Sequence, residues 1–277
     1  MRIDFVKMQG LGNDFLVFDA PVAGLEMSSS KLRALAHRRT GIGFDQALML
    51  EAPRAPGTRV FYRIFNCDGT EVEQCGNGAR CIAALLYSRA PDLGRDLAMG
   101  SAGGVVRAHI AQDGSVSVDM GVPNFDPRAL PMEASAEASA YSATVDGTPV
   151  EFGAVSMGNP HAVLTVPDVD RAPVERVGAA LERHPRFPQR TNVGFMQVVD
   201  RGHIRLRVFE RGVGETLACG TGACAAVAVG RRGGTLDASV QVALPGGAAT
   251  VTWQGSGERS WLTGPATTVF TGSVDVS

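Results

Sequence analysis

The sequence predicts an α/β (α+β) fold of two pseudo-symmetric domains, each a curved, mostly antiparallel sheet wrapped around one central helix. Three observations predict it: a repeated segment, strand patterns that outnumber helical ones, and a helix in the second half that is apolar on every side. A chain of 277 residues with 44% hydrophobic content can also form a core in each of two domains. We expect residues 1–120, with 265–277 returning to them, and residues 121–264 as the two domains.

The repeat is the strongest of these observations. Residues 63–79 align with residues 207–223 without a gap, and the identical pairs are Arg63/Arg207, Phe65/Phe209, Glu71/Glu215, Cys75/Cys219, Gly76/Gly220, Gly78/Gly222 and Ala79/Ala223. Shorter matches precede it in the same order: Gly12-Asn13 with Gly158-Asn159, and the Gly-Phe-x-Gln segments that end at Gln46 and Gln197. Tandem duplication of one α/β unit accounts for this order.

Hydrophobic periodicity and turn residues predict the elements of the first half. They are two strands within residues 1–20 around a glycine turn at 10–13, a helix over 28–39 with serine caps, a strand over 60–65, a helix from the Cys75 segment to about residue 89, and a hairpin over 103–120 that turns at 112–114.

The second half repeats this plan after residues 121–143, a Pro-, Ala-, Ser- and Glu-rich stretch without periodicity that we interpret as a linker. The predicted elements are a strand near Ala154, a helix over 174–182, strands over 195–199 and 203–209, a helix over 223–229, and strands over 240–243, 249–253, 261–263 and 267–276. The helix over 223–229 is apolar all round, so we expect it to be buried inside its domain.

Charge and composition favour a small-molecule partner. A net charge of −2 and an isoelectric point near 6.2 give no reason to expect nucleic acid or an anionic membrane. Residues 1–7 lack the apolar core of a secretory signal, and no apolar run approaches the roughly 18 residues of a membrane span. Five cysteines cannot all pair internally, so we expect reduced thiols and a cytoplasmic protein.

The two repeated cysteines each precede a helix within a Cys-Gly-x-Gly-Ala segment. The first-turn N–H groups of a helix have no intrahelical partner, so they can hold a substrate carboxylate. The same helix end is expected to lower the pKa of a thiol. Cys75 and Cys219 could therefore act from opposite sides of one α-carbon, one as thiolate removing a proton and the other as thiol delivering one. This scheme needs no cofactor and no metal, and the sequence has neither a dinucleotide fingerprint nor zinc-ligand spacing.

Cysteines can also pack in a core or form disulfides. We expect Cys67, Cys81 and Cys224 to pack as small buried hydrophobes. A disulfide between Cys75 and Cys219 would be an inactivating side reaction and not a structural link. The repeated Arg63 and Arg207 lie on predicted strands, and we interpret them as structural.

The motifs taken together resemble the diaminopimelate epimerase family over essentially the whole chain. The segments that carry the resemblance start at Gly10, Gly41, Phe65, Gln74, Met157, Asn192, Glu210 and Ala218. The resemblance implies cofactor-independent interconversion of LL- and meso-diaminopimelate, in lysine and peptidoglycan precursor synthesis, with Cys75 and Cys219 as the acid/base pair. It also implies the two-domain fold with the site between the domains.

The resemblance further implies roles for particular residues. Backbone N–H groups of Gly76, Asn77, Gly220 and Thr221 would hold the reacting carboxylate, and His161 and Glu210 would tune the thiols. The substrate-contacting positions are Asn13, Gln46, Asn66, Asn159, Asn192, Glu210 and Arg211. A homodimer is implied, with Phe270 at the contact where many relatives have Tyr.

Two alternatives stay open at this stage. A related two-cysteine racemase acting on proline or hydroxyproline would need a site for a small ring and no use for Arg211. A thiol redox sensor, or a non-catalytic amino-acid-binding protein, would keep ligand binding after both cysteines were replaced and would have no turnover to lose.

Overall fold

The computed structural model describes residues 2–19 and 27–275, and the predicted strand ends at residues 1, 20 and 276 lie outside this range. Within it the chain is a mixed α/β structure of four helices and many more strands, which confirms the predicted fold class. None of the four helices in these residues is both long and apolar enough to cross a membrane. Contacts between Cα atoms divide the chain into two compact units. Unit 1 runs up to Val118 and resumes at Gly264, and unit 2 is Asp119–Thr263.

The elements follow in chain order. The first part of the chain contains β1 (Arg2–Gly10), β2 (Asn13–Asp19), α1 (Ser29–Ala36), β3 (Gln46–Glu51), β4 (Phe61–Asn66), β5 (Glu71–Val72), α2 (Gly76–Arg89), β6 (Asp96–Ser101), β7 (Gly104–Ile110) and β8 (Val116–Asp119). The remainder contains β9 (Tyr141–Val145), β10 (Thr148–Ser156), β11 (Pro160–Thr165), α3 (Val174–Glu182), β12 (Asn192–Asp200), β13 (His203–Glu210), β14 (Gly214–Thr216), α4 (Gly220–Arg232), β15 (Ser239–Leu244), β16 (Gly247–Thr252), β17 (Trp261–Gly264) and β18 (Thr267–Asp275).

Both units pair their strands in the same order. In unit 1, β18 pairs with β1 and β1 with β2, both antiparallel, then β2 with β3 in parallel and β3 with β4 antiparallel. In unit 2 the same pattern joins β9, β10, β11, β12 and β13. Each unit continues with a short hairpin strand and a parallel partner, β5 and β6 on β4, and β14 and β15 on β13. The repeat in the sequence is thus a repeat of topology.

One helix in each unit is buried against the sheet. Helix α2 contacts β1, β2, β7 and β18, and α4 contacts β10 to β13 and β16. All residues from Gly222 to Ala228 on α4 are buried, which confirms the prediction from its apolar surface. The other helix of each unit packs on the strand residues that alternate with those facing the buried helix. Leu32 and Leu35 of α1 join the cluster of Leu16 and Phe18, and these two side chains alternate with those that face α2.

Several predicted bounds need correction. Helix α1 ends at Ala36 and not at residue 39, because His37 is extended and its ring nitrogen accepts from the backbone of Thr40 in a turn. The supposed linker over 121–143 is wrong, since Leu130 and Tyr141 are buried in the core of unit 2. The hairpin over 103–120 is confirmed as β7 and β8, with Gly114 at φ +85° in the turn.

Candidate active site

Both repeated cysteines occupy the N-cap of the buried helix of their unit. Cys75 caps α2 and Cys219 caps α4, each with extended backbone angles. The glycine three residues later lies close to a neighbouring strand. A Cβ on Gly78 would lie 3.2 Å from Leu48, and one on Gly222 would lie 3.0 Å from Val208. Each helix start is therefore held tightly against a strand of its own unit.

A bidentate ion pair fastens the hairpin that leads to each cysteine. In unit 1, Nε and Nη2 of Arg63 each lie 2.7 Å from an oxygen of Glu71. In unit 2, the matching atoms of Arg207 lie 2.6 and 2.7 Å from Glu215. Since both pairs span neighbouring strands, Arg63 and Arg207 are structural, as the sequence suggested.

Amide side chains surround Cys75 in unit 1. Its thiol donates to Oδ1 of Asn13 at 3.8 Å, and its sulfur accepts from the backbone N–H of Gly78 at 3.4 Å. The same Asn13 oxygen accepts from Nδ2 of Asn77 at 3.3 Å. The predicted residues Asn13, Cys75 and Asn77 are thus in direct contact.

Two further predicted residues, Gln46 and Asn66, pair with each other across β3 and β4. Nε2 of Gln46 donates to Oδ1 of Asn66 at 2.9 Å, and Nδ2 of Asn66 donates to Thr70 at 3.1 Å. These two hydrogen bonds fix the orientation of both amide groups. Oε1 of Gln46 is buried without a hydrogen-bond partner among the described residues, so it could accept from a bound ligand.

An ion network lies behind Asn13. Nδ2 of Asn13 donates to Oδ2 of Asp45 at 3.0 Å, and Arg38 bridges Asp45 and Asp14 at 2.7 and 2.9 Å. Burial raises the pKa of Asp14, but hydrogen bonds from Arg38 and from Lys7 outweigh this and hold that pKa well below its usual range. Asp45 and Asp14 therefore form a fixed anionic support for the Gly12-Asn13 turn.

Ionisable groups surround Cys219 in unit 2. Its thiol is buried and hydrogen-bonds Glu210, which also accepts from the hydroxyl of Thr216 at 2.5 Å. Burial, followed by the charge of Glu210, raises the pKa of Cys219 well above its ordinary value. Burial likewise raises the pKa of Glu210. The lowered thiol pKa that we predicted from the helix end is therefore wrong for Cys219, since burial and a neighbouring carboxylate outweigh the helix.

His161 and Asn159 form the next part of this half-site. The Nε2 atom of His161 lies 3.0 Å from Oδ1 of Asn159, whose Nδ2 donates to Thr221 at 3.4 Å. The hydroxyl of Thr221 is 3.6 Å from the sulfur of Cys219. Burial, and secondarily the charge of Arg211, lowers the pKa of His161 to about 3. This imidazole is neutral at physiological pH.

Arg211 is exposed, and its backbone is held by two buried side chains. Its N–H donates to Oδ1 of Asn192 at 3.0 Å, while the next N–H, of Gly212, donates to Glu182 at 2.7 Å. Glu182 is almost fully buried at the end of α3 and pairs with Arg183 at 3.3 Å. The guanidinium of Arg211 is thus presented to solvent from a fixed backbone.

The remaining cysteines and Phe270 lie apart from these contacts. Cys81 and Cys224 are buried, as predicted, and burial raises the pKa of Cys81 to about 12. Cys67 is exposed, so the prediction that it packs in a core is wrong. Phe270 on β18 is 46% exposed, with its ring edge-on to Phe5 at a centroid distance of 5.9 Å.

Known proteins match the chain over its whole length. The family model described as diaminopimelate epimerase matches residues 5–125 and 153–269. The chain belongs to the diaminopimelate epimerase family. Relatives named diaminopimelate epimerase include those of Thioalkalivibrio sulfidiphilus, 54% identical with 100% of both chains covered, and Stutzerimonas stutzeri, 51% identical with 99% of both covered.

Solved structures outside close sequence similarity share the fold of this diaminopimelate epimerase family member. A hydroxyproline epimerase from Agrobacterium vitis with bound trans-4-hydroxy-L-proline has a TM-score of 0.70 at 17% identity, covering 99% of this chain and 92% of that one. A probable proline racemase from Agrobacterium radiobacter has a TM-score of 0.71 at 16% identity, covering 99% and 93%. At such identities the likeness shows the fold alone.

Sequence reasoning missed the residues that support this family's predicted site positions. Asp45 holds Asn13, Arg80 donates to Asn77, Thr216 donates to Glu210, and Glu182 holds the loop of Arg211. Asp45 lies in the segment that starts at Gly41, and Arg80 directly follows the repeated segment of Cys75. Glu182 had no signal, because its contact with Gly212 joins positions far apart in the chain.

Proposed function

We propose that this protein epimerises LL- and meso-diaminopimelate without a cofactor, using Cys75 and Cys219 as the two bases. The observation that carries the proposal is that both cysteines cap the buried helix of their unit at equivalent positions of the repeat. The substrate comes from the names of relatives about half identical to this chain. The proposal requires units 1 and 2 to act as two domains that present their half-sites to one carbon.

The first chemical step is removal of the α-proton. The sulfur of one cysteine, as thiolate, takes the proton, and the electron pair of the broken C–H bond delocalises into the adjoining carboxylate. First-turn N–H groups of Gly76, Asn77, Gly220 and Thr221 lack intrahelical partners and would stabilise this added charge. The other cysteine, as thiol, then delivers its proton to the opposite face. The product has the inverted centre, and the two sulfurs have exchanged protonation states.

The neighbours of each sulfur support this exchange. Glu210 is a buried carboxylate hydrogen-bonded to the Cys219 thiol, so it can accept that proton when Cys219 must act as base. Neutral His161 would act on the thiol through its neighbours and not as a base, because it bonds Asn159, which donates to Thr221 beside the sulfur of Cys219. Both are therefore proposed to tune the thiols.

The remaining predicted residues suit the distal end of the substrate, which is a zwitterionic amino acid. The exposed guanidinium of Arg211 can bind its carboxylate through two parallel hydrogen bonds. Asn66, Asn159, Asn192 and the free Oε1 of Gln46 offer acceptors for an ammonium group. A site for proline would need none of these distal contacts.

We further propose a role in lysine and peptidoglycan precursor synthesis and assembly as a homodimer through Phe270. Strand β18 pairs with β1 along one edge, and Val269 and Phe270 on it are about half exposed. Exposed apolar side chains such as these suit a partner that covers them. A Phe270→Asp variant should shift the molar mass measured by light scattering to that of a monomer.

Solvent deuterium tests the proposed reaction. Incubation with LL- or meso-diaminopimelate in deuterium oxide should place deuterium at one α-carbon. Either Cys75→Ala or Cys219→Ala should lower the rate of this exchange by at least about 10³-fold. Cys224→Ala, a buried cysteine on the same helix as Cys219, is the matched control and should retain exchange. Exchange that survives in the Cys75→Ala/Cys219→Ala double variant would refute the proposal.

Two further outcomes separate the alternatives. Exchange into proline or hydroxyproline, with none into diaminopimelate, would assign the protein to the related racemases. Diaminopimelate binding by calorimetry, unchanged in the double cysteine variant and without turnover in the unmodified protein, would indicate a binding protein.

A further inference from the structure

A chain of hydrogen bonds passes behind Cys75 and ends in a charged side chain at each side. Asp45 accepts from Nδ2 of Asn13 at 3.0 Å, and Arg80 donates from Nη2 to Oδ1 of Asn77 at 2.8 Å. Between them, Nδ2 of Asn77 donates to Oδ1 of Asn13 at 3.3 Å. Arg80 is fully buried, and its guanidinium lies where a Cβ on Gly10 would come within 3.3 Å. We call these four residues the amide relay.

The charged ends fix which way both amides point. An ionised carboxylate can only accept, so the Asn13 atom that faces Asp45 must be the NH₂ group and its oxygen must face the other way. A guanidinium can only donate, so the Asn77 atom that faces Arg80 must be the oxygen. Both ends independently require the same central bond, from Nδ2 of Asn77 to Oδ1 of Asn13. The oxygen of Asn13 is thereby held toward the sulfur of Cys75, at 3.8 Å.

The repeat shows that unit 2 lacks this arrangement. The positions that match Asp45, Asn77 and Arg80 are occupied by Met196, Thr221 and Cys224. Met196 and Cys224 are apolar and buried, and neither can hold an amide in one orientation. The relay is therefore not needed for the shared fold. It belongs to the half-site of Cys75.

We propose that Asp45 and Arg80 are positioning residues that hold Asn13 with its oxygen toward Cys75, so that Cys75 rests as an oriented thiol. An acceptor oxygen beside the sulfur favours the S–H form and disfavours the thiolate, whereas an NH₂ group in its place would do the reverse. The N–H of Gly78 approaches the sulfur from the helix and fixes the direction of the S–H bond further. The inference rests on the proposed function only in giving Cys75 an acid/base role.

Other titratable groups of unit 1 also lie near Cys75. Tyr62 and Cys81 are close enough to interact with it, but burial raises the pKa of Cys81 to about 12 and also raises the pKa of Tyr62, so both are neutral. The charged groups are then Arg80 and, behind Asn13, Asp45 with the Arg38 and Asp14 to which it is linked. His161 of unit 2 is proposed to tune a thiol and is left unchanged in every variant below.

The test measures the rate at which iodoacetamide alkylates Cys75, by peptide mass spectrometry, across the pH range of thiol ionisation. All variants carry Cys67→Ser, because Cys67 is exposed and would compete for the reagent. Asp45→Ala should leave only the longer bond from Asn77, at 3.3 Å, to hold the Asn13 oxygen. Its NH₂ group could then turn toward the sulfur, which should lower the apparent pKa of Cys75 by about one unit and raise the alkylation rate at neutral pH about tenfold. Asp14→Ala is the matched control. It removes an equal charge from the same ion network but keeps the Asp45 carboxylate that accepts from Asn13, so it should shift the pKa much less.

A second set of variants, built on Asn13→Leu, distinguishes the orientation of the Asn13 amide from the effect of the Asp45 charge. Asn13→Leu has a similar volume and no amide, so adding Asp45→Ala to it should cause no further shift if the relay is correct. A shift that persists there, or an equal shift in Asp14→Ala, would overturn the proposal. If Asp45→Ala fails to fold, as judged by circular dichroism, the apparent pKa of Cys75 is measured in Arg80→Met instead. Loss of a nearby positive charge alone would raise the thiol pKa, whereas release of Asn77 should leave it unchanged or lower it, and a rise would count against the relay.

The proposed function and the relay fail separately in these experiments. Alkylation needs no diaminopimelate, so the pKa shifts can appear in a protein that lacks epimerase activity. Conversely, deuterium exchange that depends on Cys75 with no shift in Asp45→Ala would keep the function and reject the relay.

Discussion

The two cysteine half-sites have the same backbone and different chemistry around the sulfur. In unit 1, Cys75 is half-buried and contacts the neutral amide of Asn13. In unit 2, Cys219 is buried and contacts the carboxylate of Glu210. The position that matches Glu210 in the repeat is Asn66, which binds Gln46 and Thr70 instead.

The shared features are those that build the helix start. A bidentate Arg–Glu pair, a glycine against a strand and an N-cap cysteine recur in both units. The differing features set the proton affinity of each thiol, by burial and a carboxylate at Cys219 and by oriented amides at Cys75. Since LL- and meso-diaminopimelate are different molecules, the two faces of the proposed site have no need of equal pKa values.

Glu210→Gln should have the largest effect on this comparison. Glutamine keeps the shape but cannot take the proton of the Cys219 thiol, so we expect the rate of deuterium exchange to fall by about 10²- to 10⁴-fold. The alkylation rate of Cys75 should change little. Separate measurement of exchange starting from each isomer should show which direction depends more strongly on Cys219 as base.

Glu215→Gln is the matched control for that variant. Glu215 lies five residues away on the same hairpin and pairs with Arg207, so its loss should lower stability more than catalysis. If Glu215→Gln and Glu210→Gln lowered the exchange rate equally, Glu210 would have only a structural role and the two half-sites would be more alike than we propose.

His161 should make the stability of the protein depend on pH. Its pKa is about 3 in the folded state, below the ordinary value of about 6.5, so the unfolded chain binds the proton first as pH falls. Stability is therefore complete above about pH 6.5 and decreases by about 1.4 kcal/mol per pH unit between that value and the folded pKa.

His161→Gln should remove that dependence. Urea unfolding of the variant and the unmodified protein at a series of pH values would measure it, with exposed His109→Gln as control. Parallel pH profiles for His161→Gln and the unmodified protein would show that the imidazole is charged or solvated in the folded state, contrary to its burial.

Glu182→Gln should affect substrate binding more than chemistry. Glu182 accepts from the N–H of Gly212 beside Arg211 and pairs with Arg183, so losing its charge should loosen the loop that presents the guanidinium. We expect KM for diaminopimelate to rise about tenfold with kcat changed less than threefold, roughly the loss of one charge-assisted hydrogen bond. Glu175→Gln, an acidic residue at the start of the same helix, is the control. A fall in kcat at constant KM would contradict this role.

Much of the fold was readable from the sequence because its signals were local. Helix α2 was predicted to its last residue from the Cys75 segment, and the turn at Gly114 from a glycine. Strand β3 was missed because its centre is buried without alternation, a pattern that does not distinguish strand from helix. Residues 121–143 were misread because their buried residues form two short pairs, Leu130 with Met132 and Tyr141 with Ala143, which are too far apart to make one period.

The candidate site also contains some residues that local motifs predict and others that they do not. The cysteines, amides and Arg211 were predicted because they belong to continuous motifs, and hydrogen bonds within unit 1 join Asn13, Cys75 and Asn77. The supporting charges Asp45 and Glu182 act through contacts between distant segments, which no pattern in one sequence records. The raised pKa of Cys219 was missed for a related reason, since burial is a property of the packed unit.

The smallest expected effect is a difference in the free energy of unfolding between variants of the two Arg–Glu ion pairs. Side chains of Arg207 and Glu215 are 26% and 21% exposed, against 34% and 39% for Arg63 and Glu71. Arg207 also donates to the carbonyl of Val169 at 3.1 Å. Arg207→Met should therefore lower the free energy of unfolding by about 1–2 kcal/mol, because it leaves a half-buried carboxylate without its partner.

Arg63→Met should cost less, about 0–1 kcal/mol, since its pair is more exposed and methionine can keep the packing over the ring of Phe65, where the guanidinium carbon now lies 4.8 Å from the centroid. Urea titrations of both variants, at low and high salt, measure the difference. Salt should weaken the Arg63 effect more, because the exposed pair is screened more strongly. Equal losses at both salt concentrations would mean that the two hairpins are supported alike, and that the units diverge only in the groups that touch the sulfurs.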